Sequence, residues 1–387
     1  MIDRLLKLTN HNHSLFIFGP RQTGKTYLIK HTIKPDIFIN LLKFTEYQRY
    51  LQNPSLLSKE VGSQLNKSGL IVVIDEIQRA PHLLNEVHSI LQDHPQVQFI
   101  LTGSSARKLR KGGVNLLGGR AITTHLYPLT YHETLSNFDL DDTLRFGSLP
   151  TIYLEKNTAT KIKLLKAYVN TYLKEEIQQE AMTRNVPAFS LFLELAGFEN
   201  GHIINFSALS KKIGVHYATV KEYFQILEDT LLGFYLYPYK KSVRKKIVAH
   251  PKFYFFDTGI VSCLQKRLYE PITPATPPYG LSFEHWLILE TQRMLHYHDV
   301  EATLSFFRTT DDIEVDLILE IRGQTWAIEI KSSAEPNPSS FKGLKNFLND
   351  HKVDRVLCVC QTPRKYLVDR IEFLPWQEYL NELTVPF

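Results

Sequence analysis

Cysteine is scarce, with Cys263, Cys358 and Cys360 the only three in 387 residues. Three thiols cannot form a disulfide framework, and no His/Cys group has zinc spacing. Long apolar runs are missing as well. None approaches the ~18 residues that span a bilayer, and the longest, such as Leu70–Ile74, read as buried strands. The N-terminal MIDRLLKL sets Asp3, Arg4 and Lys7 where a leader would need unbroken apolar residues. The expectation is a reducing, cytoplasmic location with no membrane partner. Low-complexity tracts and internal repeats are absent too. At 43% hydrophobic and 22% charged residues, wholesale disorder and fibrous folds are excluded. A net charge of +5 is compatible with a polyanion partner without demanding one.

From residue 1 to 128 the pattern repeats as short apolar strand, turn and helix. Strands are expected at Ser14–Phe18, Ile37–Asn40, Leu70–Ile74, Gln98–Leu101 and Ile122–Leu126. Such alternation implies a parallel sheet covered on both faces. Residues 129–270 read as a mainly helical region, with the amphipathic stretch Ala159–Glu180 as its clearest element. A helix–turn–helix over Asn205–Glu228 follows, then two strands at Leu231–Tyr239 and Lys252–Phe256. The proline-rich Pro271–Gly280 reads as a linker. Beyond it, 281–387 gives a helix (Phe283–His296), three strands, a helix (Ser340–Asp350) and a strand (Arg355–Cys360), a small α/β unit.

The strongest chemical signal is Gly19-Pro20-Arg21-Gln22-Thr23-Gly24-Lys25-Thr26, which fits G-x-x-x-x-G-K-[ST] between an apolar strand and a helix. Such a loop points backbone N–H groups and a helix N-terminus at phosphate. Lys25 would neutralise β- and γ-phosphate oxygens, and the Thr26 hydroxyl would ligate Mg²⁺. About 50 residues downstream, Leu70-Ile71-Val72-Val73-Ile74-Asp75-Glu76 describes a buried strand delivering two acids to the edge where ligands sit in open parallel sheets. Asp75 is expected to hold Mg²⁺ through water, and Glu76 to polarise the attacking water as general base. A third strand, Phe99–Leu101, ends in Thr102, Gly103, Ser104 and Ser105. Ser104 or Ser105 would equally serve as a helix N-cap. A transition-state arginine is expected in such chemistry, and Arg107, Arg110 and Arg120 all follow that strand.

The segments GPRQTGKT, VIDEIQRAP, ILTGSS, LLGGRA and YPLTYHE, in this order, resemble a large family of bacterial and archaeal AAA-like P-loop ATPases whose C-terminal half is a domain of unknown function. SALSKKIGVHYATVKEYFQILEDTLLGFYLYPY and KFYFFDTGI are similar to that family's C-terminal region. The resemblance implies ATP and Mg²⁺ as cofactors. It also implies a γ-phosphate sensor at Thr102 or Ser104. Of the three arginines, Arg120 in its Gly-Gly-Arg turn is the catalytic candidate, and a solvated surface arginine is the competing reading for each.

In the helix–turn–helix, Ala208, Leu209 and Ile213, then Val220, Phe224 and Leu227, are the apolar positions, with Gly214 at the turn. The next two strands would make a winged-helix wing. Between them stand Lys240, Lys241, Arg244, Lys245 and Lys246, five cations in seven residues. One reading puts the second helix in a DNA groove with this loop on phosphates. Against it, Glu222, Glu228 and Asp229 would repel phosphate, and winged helices also serve as plain protein contacts, here with a client protein. Further on, Asp316 in IEVDLIL is followed by Glu329 and Lys331 in WAIEIK. An acid, a strand crossing and E-x-K describe a restriction-endonuclease-like core. Glu329 and Lys331 share one strand face by alternation, and Glu284 lies on the preceding helix. The favoured function is a nucleotide-driven ATPase switch. The alternative is an ATP-regulated DNA-binding protein or metal-dependent nuclease.

Overall fold

The computed structural model describes residues 2–8, 13–67, 69–105, 107, 109, 117–173, 185–239, 250–337 and 341–384. The chain divides into two compact units, Met1–Leu129 with Ile226–Leu232, and Thr130–Gln225 with Gly233–Phe387. It is a mixed α/β protein with an N-terminal parallel sheet and a C-terminal mixed sheet. Among the described residues, no helix is long and apolar enough to cross a membrane.

In the first unit the strands are β1 (Ser14–Phe18), β2 (Ile37–Asn40), β3 (Ile71–Asp75), β4 (Gln98–Gly103) and β5 (Ala121–His125). They pair in parallel in the order β2-β3-β4-β1-β5. Side chains alternate between faces along each strand. One face presents Phe16, Phe18, Val72, Ile74, Phe99 and Leu101 to a core completed by helix α2 (Leu83–Asp93). The other presents Leu15, Ile17, Val73 and Ile100 to Leu28 and Ile29 of helix α1 (Lys25–Thr32). With both faces covered, the central strands read as continuous apolar runs. Phe18 lies opposite Gly103, and Ile74 opposite Leu101. The chain therefore leaves β1, β3 and β4 at one level of one sheet edge, which brings the loops after Phe18, Ile74 and Leu101 together.

The second unit is built on the order β12-β13-β11-β10-β9-β8-β6-β7. Its strands are β6 (Gly233–Pro238), β7 (Lys252–Phe255), β8 (Ala302–Arg308), β9 (Glu314–Ile321), β10 (Gln324–Ile330), β11 (Arg355–Cys360), β12 (Tyr366–Val368) and β13 (Ile371–Pro375). The helix–turn–helix consists of α3 (Phe206–Ile213) and α4 (Tyr217–Asp229). Asn205 caps α3 by accepting from the Ala208 N–H at 2.9 Å, and Gly214 closes it with φ 76°. That left-handed turn is what glycine permits at low cost.

Four expectations change. The two strands read as a wing are continuous with the C-terminal sheet, because β6 pairs in parallel with β8 through Tyr237 and Pro238 and so covers an otherwise open sheet edge. The middle and C-terminal regions, read separately from sequence, share this sheet and one compact unit. The amphipathic stretch from Ala159 is α-helical only to Ala167 and passes into a π-helical turn at Tyr168–Leu173; residues 174–180 lie outside the described residues. The linker ends early, since Pro277 and Pro278 open helix α5 (Pro277–Tyr297). Proline is pre-organised for a helix's first turn, where its missing N–H costs nothing.

Candidate active site

At the first unit's sheet edge the Gly19–Thr26 loop is held from several sides. The Gly19 N–H donates to the Gly103 carbonyl at 3.3 Å. A Cβ on Gly19 would lie 2.2 Å from the Leu126 carbonyl oxygen, so only glycine fits. Gln22 and Gly24 have φ of 63° and 95°. The Thr23 hydroxyl donates to the Pro20 carbonyl at 3.0 Å. The Arg4 guanidinium, buried, donates to the carbonyls of Thr23 and Tyr127, both at 2.7 Å, and so ties the loop to the chain leaving β5. The Lys25 ammonium crosses the loop and donates to the carbonyls of Gly19 at 2.7 Å and Pro20 at 3.0 Å. Gly24 sits at the N-cap of α1, and the helix's first N–H groups are left without a capping side chain.

The acids at the end of β3 join the same network. Asp75, fully buried, accepts from the Thr26 hydroxyl at 2.8 Å through one oxygen and from the Thr102 hydroxyl through the other. The Thr102 oxygen in turn accepts the Glu76 N–H at 3.1 Å. Glu76 has φ 64°, a left-handed conformation unusual for a side-chain-bearing residue. Its carboxylate accepts from the Gln78 amide nitrogen, which also reaches the Ser104 hydroxyl oxygen at 3.2 Å. Thr26, Asp75, Thr102, Glu76, Gln78 and Ser104 thus form one connected chain of buried or half-buried polar groups. Ser105 is buried, with its hydroxyl unpartnered among the described residues.

The candidate arginines stand apart from this chain. Arg107 pairs with Asp229 at 2.8 Å. Arg120 is exposed, with its guanidinium against the His88 ring. Arg110 and the cations Lys240, Lys241, Arg244, Lys245 and Lys246 lie outside the described residues. Sequence reasoning missed Arg4 and Gln78. Gln78 falls inside the VIDEIQRAP segment and was open to notice; nothing local marks Arg4, whose partners are 19 and 123 residues away.

In the second unit, Asp316 on β9 and Glu329 on β10 do come together. The Lys331 ammonium lies 2.6 Å from Glu329 Oε1 and 3.8 Å from Asp316 Oδ2, and Asp316 also accepts the Ile330 N–H at 2.8 Å. Glu284 on α5 faces a different cation. It accepts from the Tyr254 hydroxyl at 2.7 Å and lies 3.4 Å from the buried Lys252, which also pairs with Glu314 at 2.6 Å. Burial pushes the Glu329 and Asp316 carboxyls above their ordinary range, with Asp316 adding to the rise at Glu329 and Glu284 to that at Asp316, while Lys331 opposes both. Burial alone would lower Lys331; the two acids outweigh it and raise the ammonium instead. Among the described residues, no group of three or more His, Cys, Asp or Glu is arranged to hold a metal ion. Two ammonium groups already stand among these carboxylates, so as arranged they do not fit a divalent ion. Lys252, which local pattern does not distinguish, is the residue sequence reasoning missed here.

Residues 11–135 match an AAA domain, 137–270 a Domain of unknown function (DUF8612) and 279–379 a Domain of unknown function (DUF4143). An uncharacterized protein of Mycobacterium tuberculosis is 26% identical over 390 residues, covering 99% of this chain and 84% of that protein. One of Methanocaldococcus jannaschii is 24% identical over 270 residues, covering 62% of this chain and 60% of its own. A solved structure of C. elegans PCH-2 is 17% identical, covers 58% of this chain and 63% of that one, and has a TM-score of 0.25, too low to carry an argument. The AAA match and the parallel sheet support an AAA-like P-loop ATPase carrying a DUF4143 region, with a nucleotide-binding, ATPase-like function.

Proposed function

We propose that the chain binds ATP at Gly19–Thr26 and hydrolyses it as a nucleotide-driven switch. The observation that carries this is the hydrogen-bonded chain running from Thr26 through Asp75 and Thr102 to Glu76. It joins a loop suited to phosphate to the backbone N–H of the residue whose carboxylate is suited to accept a proton. Lys25 would exchange the Gly19 and Pro20 carbonyls for phosphate oxygens. Thr26 and Asp75 offer adjacent hard oxygen donors of the kind Mg²⁺ takes, once the bond between them opens. The ion, when bound, supplies charge neutralisation at the β- and γ-phosphates. Glu76 takes the proton of a water as that water's oxygen bonds to the γ-phosphorus. The bond from that phosphorus to the bridging oxygen breaks, and ADP leaves with the electron pair. Thr102 is committed to Asp75, so Ser104 is the better-placed γ-phosphate sensor, and Arg120, which rests against His88 apart from this network, would have to leave that ring to act as the transition-state arginine. A protein client or DNA would read the nucleotide state through the second unit. A nuclease step is not part of this reading, since Lys252 and Lys331 compensate the acids that would perform it.

The test is paired. Lys25→Ala should lose ATP affinity by at least roughly tenfold in calorimetry, through loss of charge-assisted phosphate contacts. Glu76→Gln should keep that affinity and release phosphate roughly 10²–10⁴ times more slowly. Equal affinity in the first variant, or wild-type turnover in the second, would refute the assignment.

A further inference from the structure

We infer that Gln78 is the positioning residue of the hydrolytic site, linking the general base Glu76 to the sensor hydroxyl of Ser104; the inference rests on the ATPase reading above. The amide nitrogen carries two hydrogens and spends them on two acceptors, the Glu76 carboxylate and the Ser104 hydroxyl oxygen. Its orientation is fixed chemically. Turning the amide over would set its oxygen against a carboxylate, acceptor against acceptor. The oxygen must therefore point the other way, and there it is buried with no hydrogen-bond partner among the described residues. A buried, unpaired carbonyl oxygen costs stability, so the donor side of this amide is held at the expense of its acceptor side.

The glycine beside it makes room for this arrangement. A Cβ at position 103 would lie 2.6 Å from the Gln78 amide oxygen and 3.3 Å from the Phe18 ring. Gly103 ends a regular strand, with no positive φ that would itself call for glycine. Its missing side chain is space that the Gln78 amide fills. Glu76 is thereby gripped twice, at its N–H by Thr102 and at Oε2 by Gln78. This leaves Oε1 as the carboxylate oxygen that meets the attacking water. Because the same amide holds Ser104, a shift of that serine towards an arriving γ-phosphate reaches the base through Gln78.

The experiment uses the full chain and steady-state ATP hydrolysis, with ATP affinity from calorimetry and thermal unfolding as controls. Gln78→Leu keeps bulk and removes both donors. It should lower kcat by roughly ten- to a hundredfold, the cost of a misplaced catalytic group, with ATP affinity changed by less than about twofold. In a Glu76→Gln background it should slow turnover no further, because two residues acting as one unit do not add. Gly103→Ala, which displaces the amide without touching its chemistry, should lower kcat in the wild type. In a Gln78→Ala background it should do so by less than about twofold. A Gln78→Leu variant at wild-type rate, or one that slows Glu76→Gln by its full factor again, overturns the role of Gln78 and leaves Glu76 standing. Should Gln78→Leu unfold, Gly103→Ala decides the matter alone, and wild-type kcat there overturns the inference. Absence of hydrolysis by the wild type would remove the reading and the inference together.

Discussion

Glu290, on helix α5, offers the sharpest test of how the second unit is held together. Its side chain is wholly buried. One carboxylate oxygen accepts the Tyr131 N–H at 2.8 Å, the other the Arg293 guanidinium at 3.0 Å. Arg293 in turn reaches the Phe256 carbonyl at 2.7 Å and the Ser148 hydroxyl at 3.3 Å. Burial pushes the carboxyl from 4.5 up to about 7; Arg293 and the Tyr131 N–H pull it down without overcoming burial, and Glu133 adds to the rise. A carboxyl that holds its proton more tightly when folded contributes stability that is present below its unfolded value and lost as pH climbs towards 7. At about 1.36 kcal/mol for each tenfold step in proton affinity, that loss is roughly 3 kcal/mol. Glu290→Gln is neutral at every pH and abolishes it. Its amide nitrogen must face one of two donors, which costs stability equally at all pH and leaves the slope untouched. The three tryptophans, Trp286, Trp326 and Trp376, all lie in this unit, so urea denaturation followed by their fluorescence reports it alone. Between pH 4.5 and 8, the variant should gain roughly 3 kcal/mol relative to the wild type. Taking the difference cancels other titrations, including that of His285, which burial lowers to about 4 and which acts with the opposite sign. A difference that stays flat across this range would refute the reasoning.

Two further outcomes are expected. Lys331→Met strips the ammonium from the buried Asp316 and Glu329 and should destabilise the second unit by roughly 1–3 kcal/mol, discounted for the lysine's partial exposure. The loss should deepen as pH rises and both carboxyls ionise, and the nucleotide-free wild type should bind no Mn²⁺ at this cluster; Mn²⁺ binding that is lost in Asp316→Ala would overturn the compensation argument. If the basic loop contacts DNA, neutralising Lys240, Lys241, Arg244, Lys245 and Lys246 should weaken binding to all sequences alike. Each cation–phosphate pair removed should flatten the salt dependence by about 0.9 in log–log slope. An unchanged slope in filter binding would leave the loop as a solvated surface.

What the sequence disclosed, and what it withheld, follows from the range of the interactions. β1 and β3 were legible because strands buried on both faces are continuous apolar runs, and the residues after them carry a fixed local spacing. Glu329 and Lys331 were legible as a pair because alternation alone sets them on one face. β12 was missed for the opposite reason: it has three residues, all exposed, and so carries no periodic signal. Lys252 reads locally as an ordinary strand lysine. Its meaning comes from Glu284 and Glu314, which only the folded sheet and α5 bring to it. The same holds for the choice between a metal site and a compensated ionic cluster, since both contain the same acids in the same order along the chain. What separates them is where the ammonium groups come to rest: Lys331 on Glu329 and near Asp316, and Lys252 of β7 on Glu284 and Glu314, the second of which no spacing rule within the Asp316–Lys331 segment could have disclosed.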